Sequence, residues 1–111
     1  MIHVLREKAS PEQIEDMRQA LGSSIKLAVD IRLGVLAGGG AMHAHCQAAL
    51  DEAGSQHESI WGATWYPATG EIKFRSQIND HPGNRGMIIQ EPEVRKRIEG
   101  LVRRILCGIM H

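Results

Sequence analysis

The chain has few aromatic residues and no excess of charge of either sign. The first shortage limits what the core can be made of, and the second excludes two classes of partner. Aromatic residues make up 4% of the 111 residues, so the volume of the core has to come from aliphatic side chains. Lysine plus arginine and aspartate plus glutamate both number 13, which gives a formal net charge of +0. A chain without a global field is not drawn to nucleic acid or to anionic membranes, so we predict neither partner.

Long apolar runs and paired cysteines are also missing. The start, MIHVLREK, lacks the apolar run of a secretory signal, and no window approaches the roughly 18 apolar residues of a membrane span. Cys46 and Cys107 lie far apart without CxxC spacing, which is typical of free thiols. We therefore predict one cytoplasmic domain over residues 1–111, without a cofactor, whose modest stability margin a homodimer would help to offset.

Start and stop signals predict helices and strands over most of the chain. Ser10, Pro11 and Gln13 form the pattern of a capping box ahead of a helix that ends near Gly22. The segments IKLAVDI with VLA, and SIWGATW with EIKFRSQI, alternate as the strands of two hairpins. Pro92 begins a second amphipathic helix. These elements predict an α+β fold, with an antiparallel sheet of five or six strands covered on one face by the N-terminal and the C-terminal helix.

Several separated blocks of sequence resemble one known family. These blocks are LAVDI, GVLAGGG followed by His43 and Cys46, IWGATW, and NRGMII ahead of a helix that begins with proline. Together they resemble a small family of single-domain bacterial and archaeal proteins classed only as a domain of unknown function. The similarity covers nearly the whole chain and implies no activity. Such sequences have a more β-branched or leucine-rich stretch where this chain has CQAALDEAGS, so the resemblance favours a strand there.

The segment AMHAHCQAALDEAG fits two secondary structures. As a strand, it places His43 and His45 side by side facing outward, while Cys46 faces inward. As a helix, which its alanines favour, it turns the two histidines about 200° apart and pairs His43 with Cys46 instead. We favour the strand, and the predicted location of a site depends on that choice.

The triple glycine that precedes this segment is the first candidate ligand site. Gly38, Gly39 and Gly40 would let backbone N–H groups converge on an anion, because residues without a side chain permit close approach. Their spacing matches neither of the usual nucleotide-binding motifs. A tight turn or a bulge that needs positive φ is therefore the simpler interpretation.

The loop INDHPGNRG supplies the other candidate ligand residues. Arg85 could clamp a carboxylate or phosphate, and Asp80 with His81 could act as an acid/base pair if the loop folds over the glycines. A solvated connection is the simpler interpretation. The predicted ligand-binding set is Gly38, Gly39, Gly40, His43, Asp80, His81 and Arg85.

The metal-binding signal is weaker, and two classes of function remain. His43, His45 and Cys46 are weak candidate ligands because zinc sites combine paired short-spaced motifs, so we expect no metal. The first class is a non-enzymatic binding or interaction module, self-associating as a homodimer through the uncovered face or edge of the sheet. The alternative is a small enzyme or ligand-binding protein for an anionic or carboxylate-bearing metabolite. There Arg85 and the Gly38–Gly40 backbone would hold the anion, and His43, the candidate catalytic residue, would be the acid/base.

Overall fold

The computed structural model describes residues 1–81 and 87–107, and in this part the chain has five strands and three α-helices. The strands are β1 (His3–Leu5), β2 (Ile25–Asp30), β3 (Val35–Gly40), β4 (Ile60–Tyr66) and β5 (Glu71–Lys73). The helices are α1 (Pro11–Arg18), α2 (His43–Glu52) and α3 (Pro92–Val102). All strand pairs are antiparallel, in the order β1-β3-β2-β4-β5, so the fold is α+β as predicted. None of the helices formed by the described residues has the length and apolarity needed to cross a membrane.

The start signals of both predicted helices are confirmed. The Gln13 backbone N–H donates to Ser10 Oγ at 3.1 Å, and the Ser10 N–H donates to Gln13 Oε1 at 2.9 Å. This reciprocal pair satisfies two N–H groups that the first turn of α1 would otherwise leave free. Pro92 occupies the first turn of α3, which continues into a π-helical turn over Arg103–Cys107.

Both predicted hairpins form, and β2 lies at the centre of the sheet. It pairs with β3 on one side and with β4 on the other. Lys26 lies opposite Gly40 and Thr64, and at the other end of the strand Asp30 lies opposite Val35 and Ile60. The Gly40–Lys26–Thr64 row is the end of the sheet on which α2 begins.

Helices cover both faces of the sheet. The first and last helices share one face, as predicted, where Met17 and Ile98 pack on Leu27, Trp61 and Trp65 in the larger core cluster. We call this the α1/α3 face. The opposite face was expected to be uncovered, and that expectation is wrong because α2 packs there. The smaller cluster on this α2 face contains Ala28, Val35, Ala37, Cys46, Leu50 and Ile60.

The strand interpretation of the segment that follows the glycines is wrong. Residues His43–Glu52 form a helix whose buried residues, Cys46 and Leu50, are four positions apart. Both edges of β3 are already paired, with β1 and with β2, so the segment finds no free strand edge beside it. The alanines then favour helix. The side-by-side placement of His43 and His45 is therefore lost, and His45 is exposed.

The triple glycine forms the last half of β3 and is buried. Gly39 has φ of +105° and is the extra residue of a bulge, because Lys26 pairs with Gly40 and Leu27 with Gly38. A Cβ on Gly38 would lie 2.8 Å from a Leu27 methyl carbon, and one on Gly40 would lie 3.0 Å from His45 Cβ. The bulge interpretation is confirmed, and the missing side chains let both helical layers approach the strand closely.

Candidate functional site

His43 is the first residue of α2 and reaches across to β4. Its Nε2 lies 3.0 Å from the carbonyl oxygen of Ala63 and 3.1 Å from Oγ1 of Thr64. Because a carbonyl oxygen can only accept, Nε2 carries the proton and donates it to Ala63. In the neutral ring Nδ1 is then the acceptor nitrogen. Nδ1 is not among the buried unpartnered atoms, and no described residue bonds to it, so it is free to meet a ligand.

The surroundings of His43 favour this neutral ring. Burial lowers the pKa of His43 below its ordinary value of 6.5, because it removes water from the charged form. The bond to the Ala63 carbonyl opposes this shift, and repulsion by the nearby Lys26 ammonium adds to it. At neutral pH, His43 is therefore uncharged, with a proton on Nε2 and a lone pair on Nδ1.

A cleft of about 270 Å³ opens beside His43. It lies between the start of α2, the row of Lys26 on β2, and the segment that follows β5. Two cations, Lys26 and Arg75, line it, and neither forms a salt bridge within the described part of the chain. The described lining residues, none of which is acidic, are Lys26, Met42, His43, Ala44, Arg75, Ser76, Gln77, Ile78 and Met87. In a chain with no net charge, this cleft is a local concentration of positive charge.

A buried amide holds the wall of the cleft that carries Arg75. Asn79 accepts from the Gly62 N–H at 2.7 Å, and its Nδ2 donates to the carbonyl oxygens of Gly62 at 3.0 Å and Phe74 at 3.2 Å. Ser76 packs so closely on Gly62 that a Cβ at Gly62 would overlap its side chain. The segment 74–79 therefore lies flat against β4, and Asn79 bonds to Gly62 as a neighbouring strand would.

His81, one of the predicted ligand residues, lies away from His43. Its Nε2 donates to the carbonyl oxygen of Ile60 at 2.9 Å, and its ring stacks on Trp61 with a centroid separation of 3.9 Å. His43 attaches to β4 at Ala63, three residues further along. At roughly 3.3 Å per residue, the two attachment points are about 10 Å apart. The structure does not bring the two histidines together.

The other predicted ligand residues that the structure describes do not line the cleft either. Asp80 is exposed and is not part of the described lining. The three glycines, Gly38–Gly40, lie buried between α1 and α2, and the space that a side chain would take is occupied by protein atoms. Arg85 lies outside the described residues. Of the predicted set, His43 is thus the one residue that the described structure places on the cleft.

The local geometry does not combine His43, His45 and Cys46 into a metal site. Cys46 is fully buried, and its Sγ donates to the Lys26 carbonyl oxygen at 3.4 Å. Burial raises the pKa of the Cys46 thiol above its ordinary value of 9.0, which is the reverse of what a reactive thiolate needs. Within residues 1–81 and 87–107, no three His, Cys, Asp or Glu side chains come together as a metal site. We interpret Cys46 as a packing residue.

The two cations of the cleft, Lys26 and Arg75, were not among the site residues predicted from the sequence. Lys26 alternates with the apolar residues of β2, so a lysine there indicates a solvent-facing strand side until the covering helix is known. The covering of this side of β2 by α2, which also buries Ala28, is a long-range contact that no residue near Lys26 signals. Arg75 has no local signal either, because its placement depends on the contact between Asn79 and Gly62.

A larger cleft, of about 620 Å³, opens on the α1/α3 face. It lies between the turn that joins β4 to β5 and the end of α3, with Trp65 and Thr69 among its lining residues. The one charged residue in its described lining, Arg103, is already paired with Glu99 at 2.8 Å. Size alone does not make a site, and the smaller cleft at His43 has the free polar groups that orient a ligand.

The described structure defines a small α+β protein with a basic cleft at the start of its middle helix. A family model described as a protein of unknown function, DUF5674, matches residues 3–105, and the chain belongs to that family. This confirms the resemblance to a domain family without an assigned function. The matched range contains every described lining residue of the cleft at His43. No curated protein matches the chain, and no solved structure does.

Proposed function

We propose that the protein is a non-enzymatic binding module for a small anionic or carboxylate-bearing ligand, held in the cleft at His43. One observation carries the proposal: Lys26 and Arg75 line the same cleft without an acidic residue in its described lining. Two uncompensated cations facing one concave space favour an anion there. Cytoplasmic location stays a prediction from the sequence.

The two cations differ in how they would hold the anion. Lys26 is half-buried under the start of α2, and its ammonium would attract the anion as a compact point charge. Arg75 is exposed, and its planar guanidinium can donate two parallel hydrogen bonds to a carboxylate or phosphate. The sequence-based alternative had the anion held by Arg85 and the Gly38–Gly40 backbone. Here Arg75 and Lys26 hold it, and His43 remains part of the site.

The composition of the lining supports binding over catalysis. General acid–base chemistry is most often carried out by His, Glu and Asp side chains, and His43 is the one side chain of these types in the described lining. The nearby thiol of Cys46 is buried with a raised pKa. We therefore assign His43 to ligand contact.

Ligand titration followed by NMR tests the proposal. Sodium acetate and inorganic phosphate are titrated into the wild type and into Lys26→Met and Arg75→Met. We expect each variant to weaken binding about tenfold, the effect of losing one charge-assisted hydrogen bond. Lys96→Met, which removes an exposed charge from α3, is the matched control and should bind as the wild type does. Absence of binding to the wild type, or an equal loss in Lys96→Met, contradicts the proposal.

Self-association as a homodimer is the second candidate, and an apolar rim favours it. Met42 and Met87 line the cleft and are 49% and 43% exposed. Ile88, which forms a β-bridge with Arg75, is 37% exposed. Exposed apolar side chains that lie close together are typical of contact surfaces. Sedimentation that shows only monomer at high protein concentration would remove this candidate.

A further inference from the structure

The cleft at His43 has an apolar part as well as two charges. Met42, Ile78 and Met87 line it beside the cations. Two of these, Met42 and Met87, are 49% and 43% exposed, so a ligand that covered them would remove apolar surface from water. Methionine side chains are unbranched and adapt to varied shapes. An organic anion with an apolar body uses this surface, whereas phosphate does not.

His43 places a further demand on the ligand. Its Nε2 is occupied by the carbonyl oxygen of Ala63, so the ring can offer only the acceptor Nδ1. A ligand gains from this nitrogen only if it carries a hydrogen-bond donor. Lys26 and His43 line the same cleft of about 270 Å³, so the donor has to lie close to the anionic group.

The choice of donor is narrowed by the charges of the cleft. An ammonium group would face Lys26 and Arg75 without a carboxylate in the described lining to balance it. A keto oxygen is an acceptor and would face the lone pair of His43 Nδ1, leaving both groups without a partner. A hydroxyl group is neutral and donates.

We infer that the ligand is a small hydroxy carboxylate with an apolar body. Its carboxylate contacts Lys26 and Arg75, its hydroxyl donates to Nδ1 of His43, and its apolar body covers Met42 and Met87. This inference rests on the proposed function. It adds selectivity for a hydroxyl group and an apolar body, which the two cations alone do not supply.

A series of four acids with one carbon skeleton tests the inference on the wild-type protein. The probes are 4-methylpentanoate and its 2-hydroxy, 2-oxo and 2-amino derivatives, with inorganic phosphate as a fifth. We expect the hydroxy acid to bind about fivefold tighter than the unsubstituted acid, the effect of one net hydrogen bond. The oxo acid should bind more weakly than the unsubstituted acid, and the amino acid most weakly of the four.

A substitution at His43 then tests whether this residue causes the preference for the hydroxy acid. In His43→Leu, the hydroxy acid and the unsubstituted acid should bind with equal affinity, so the preference for the hydroxy acid is lost. His45→Leu, which changes the exposed histidine two positions further along, should keep the preference. If His43→Leu does not fold, the ¹⁵N signal of His43 Nδ1 in the wild type replaces it, and this signal should shift further with the hydroxy acid than with the unsubstituted acid.

The outcomes separate the inference from the proposed function. If the acids bind but the hydroxy acid has no advantage, or if phosphate or the amino acid binds best, the inference is wrong and the anion site stands. If neither phosphate nor any of the acids binds, the proposed function fails and the inference fails with it. A hydroxy-acid preference that survives in His43→Leu also overturns the inference.

Discussion

The two faces of the sheet differ in how many apolar side chains they bury. On the α1/α3 face, sixteen buried side chains, including both tryptophans, form one apolar cluster among the described residues. On the α2 face the corresponding cluster has six, several of them small. Since free energy from burial grows with apolar area, most of the stability has to come from the α1/α3 face. The α2 face can then hold polar groups that a densely packed core would exclude.

The polar groups on the α2 face show what that arrangement permits. His43 bonds to β4, Lys26 lines the cleft, and Asn79 bonds to Gly62. Asp30 is fully buried, and its Oδ1 accepts from the N–H groups of Arg32 at 2.9 Å and Leu33 at 3.0 Å, while its Oδ2 has no partner among the described residues. Each buried polar group costs free energy unless it is bonded, so this face depends on the other for its stability.

The largest expected effect lies on the α1/α3 face. Ile98 is fully buried in α3, and Ile98→Ala should lower the free energy of unfolding by about 2–5 kcal/mol, because it removes apolar contacts and leaves a cavity. Denaturant titration measures the loss. Ligand affinity of the protein that remains folded should not change. A tenfold loss of affinity would show that the two faces are not separable in this way.

A smaller effect on stability, with a loss of binding, is expected from Gly62→Ala on the α2 face. The added Cβ would overlap Ser76 and push the segment 74–79 off β4, at a cost of about 1–3 kcal/mol. Because that segment carries Arg75, acetate binding should weaken as well. Gly100→Ala is the matched control: Gly100 lies in α3 with nothing near its absent Cβ, so stability should rise by about 0.5–1 kcal/mol. Normal acetate binding by Gly62→Ala would contradict the role assigned to this wall.

The smallest expected effect is the pH dependence that His43 contributes. Its pKa in the folded protein lies below the 6.5 of the unfolded chain, so between the two values the unfolded state binds more protons. The stability contribution is present above pH 6.5 and is lost as the pH falls through the lower folded pKa. Unfolding curves should show that the free energy of unfolding falls more steeply below pH 6.5 in the wild type and in His45→Leu than in His43→Leu. Equal slopes in all three would rule out a buried neutral His43.

The helix and the hairpins that depend on contacts between residues close in the chain could be predicted from short sequence patterns. Ser10 and Gln13 bond to each other within one turn, and β2 alternates over six residues, so α1 and both hairpins could be predicted from the sequence. The segment after Gly40 could not be assigned in the same way. Cys46 and Leu50 face inward in a strand and in a helix alike, because their separation of four fits both periods. The pairing of both edges of β3 leaves no place for a strand directly beside it, and no local pattern reports that pairing.

The candidate site was predictable only in part, for a related reason. The sequence drew attention to His43 through its neighbours, and the structure places His43 on a cleft. Lys26 and Arg75 are far apart in the chain and meet there because α2 covers β2 and because Asn79 fixes the segment after β5. Neither cause is visible in residues close to the two cations. A long-range contact between a buried amide and a strand glycine therefore decides where the charges converge.

Backbone groups along β4, on the side away from β2, have bonding partners, and this affects how readily the chain can aggregate. β5 pairs with Thr64–Tyr66, the Asn79 amide bonds to Gly62, and the His81 ring bonds to the Ile60 carbonyl. The two edge strands, β1 and β5, have only three residues each. An extended segment of another molecule thus meets no long row of unpaired backbone groups on these strands, which is how natural sheets resist fibril growth and strand exchange. Within the described part of the chain, the short edges of the sheet therefore favour contacts between side-chain surfaces over lengthening of the sheet.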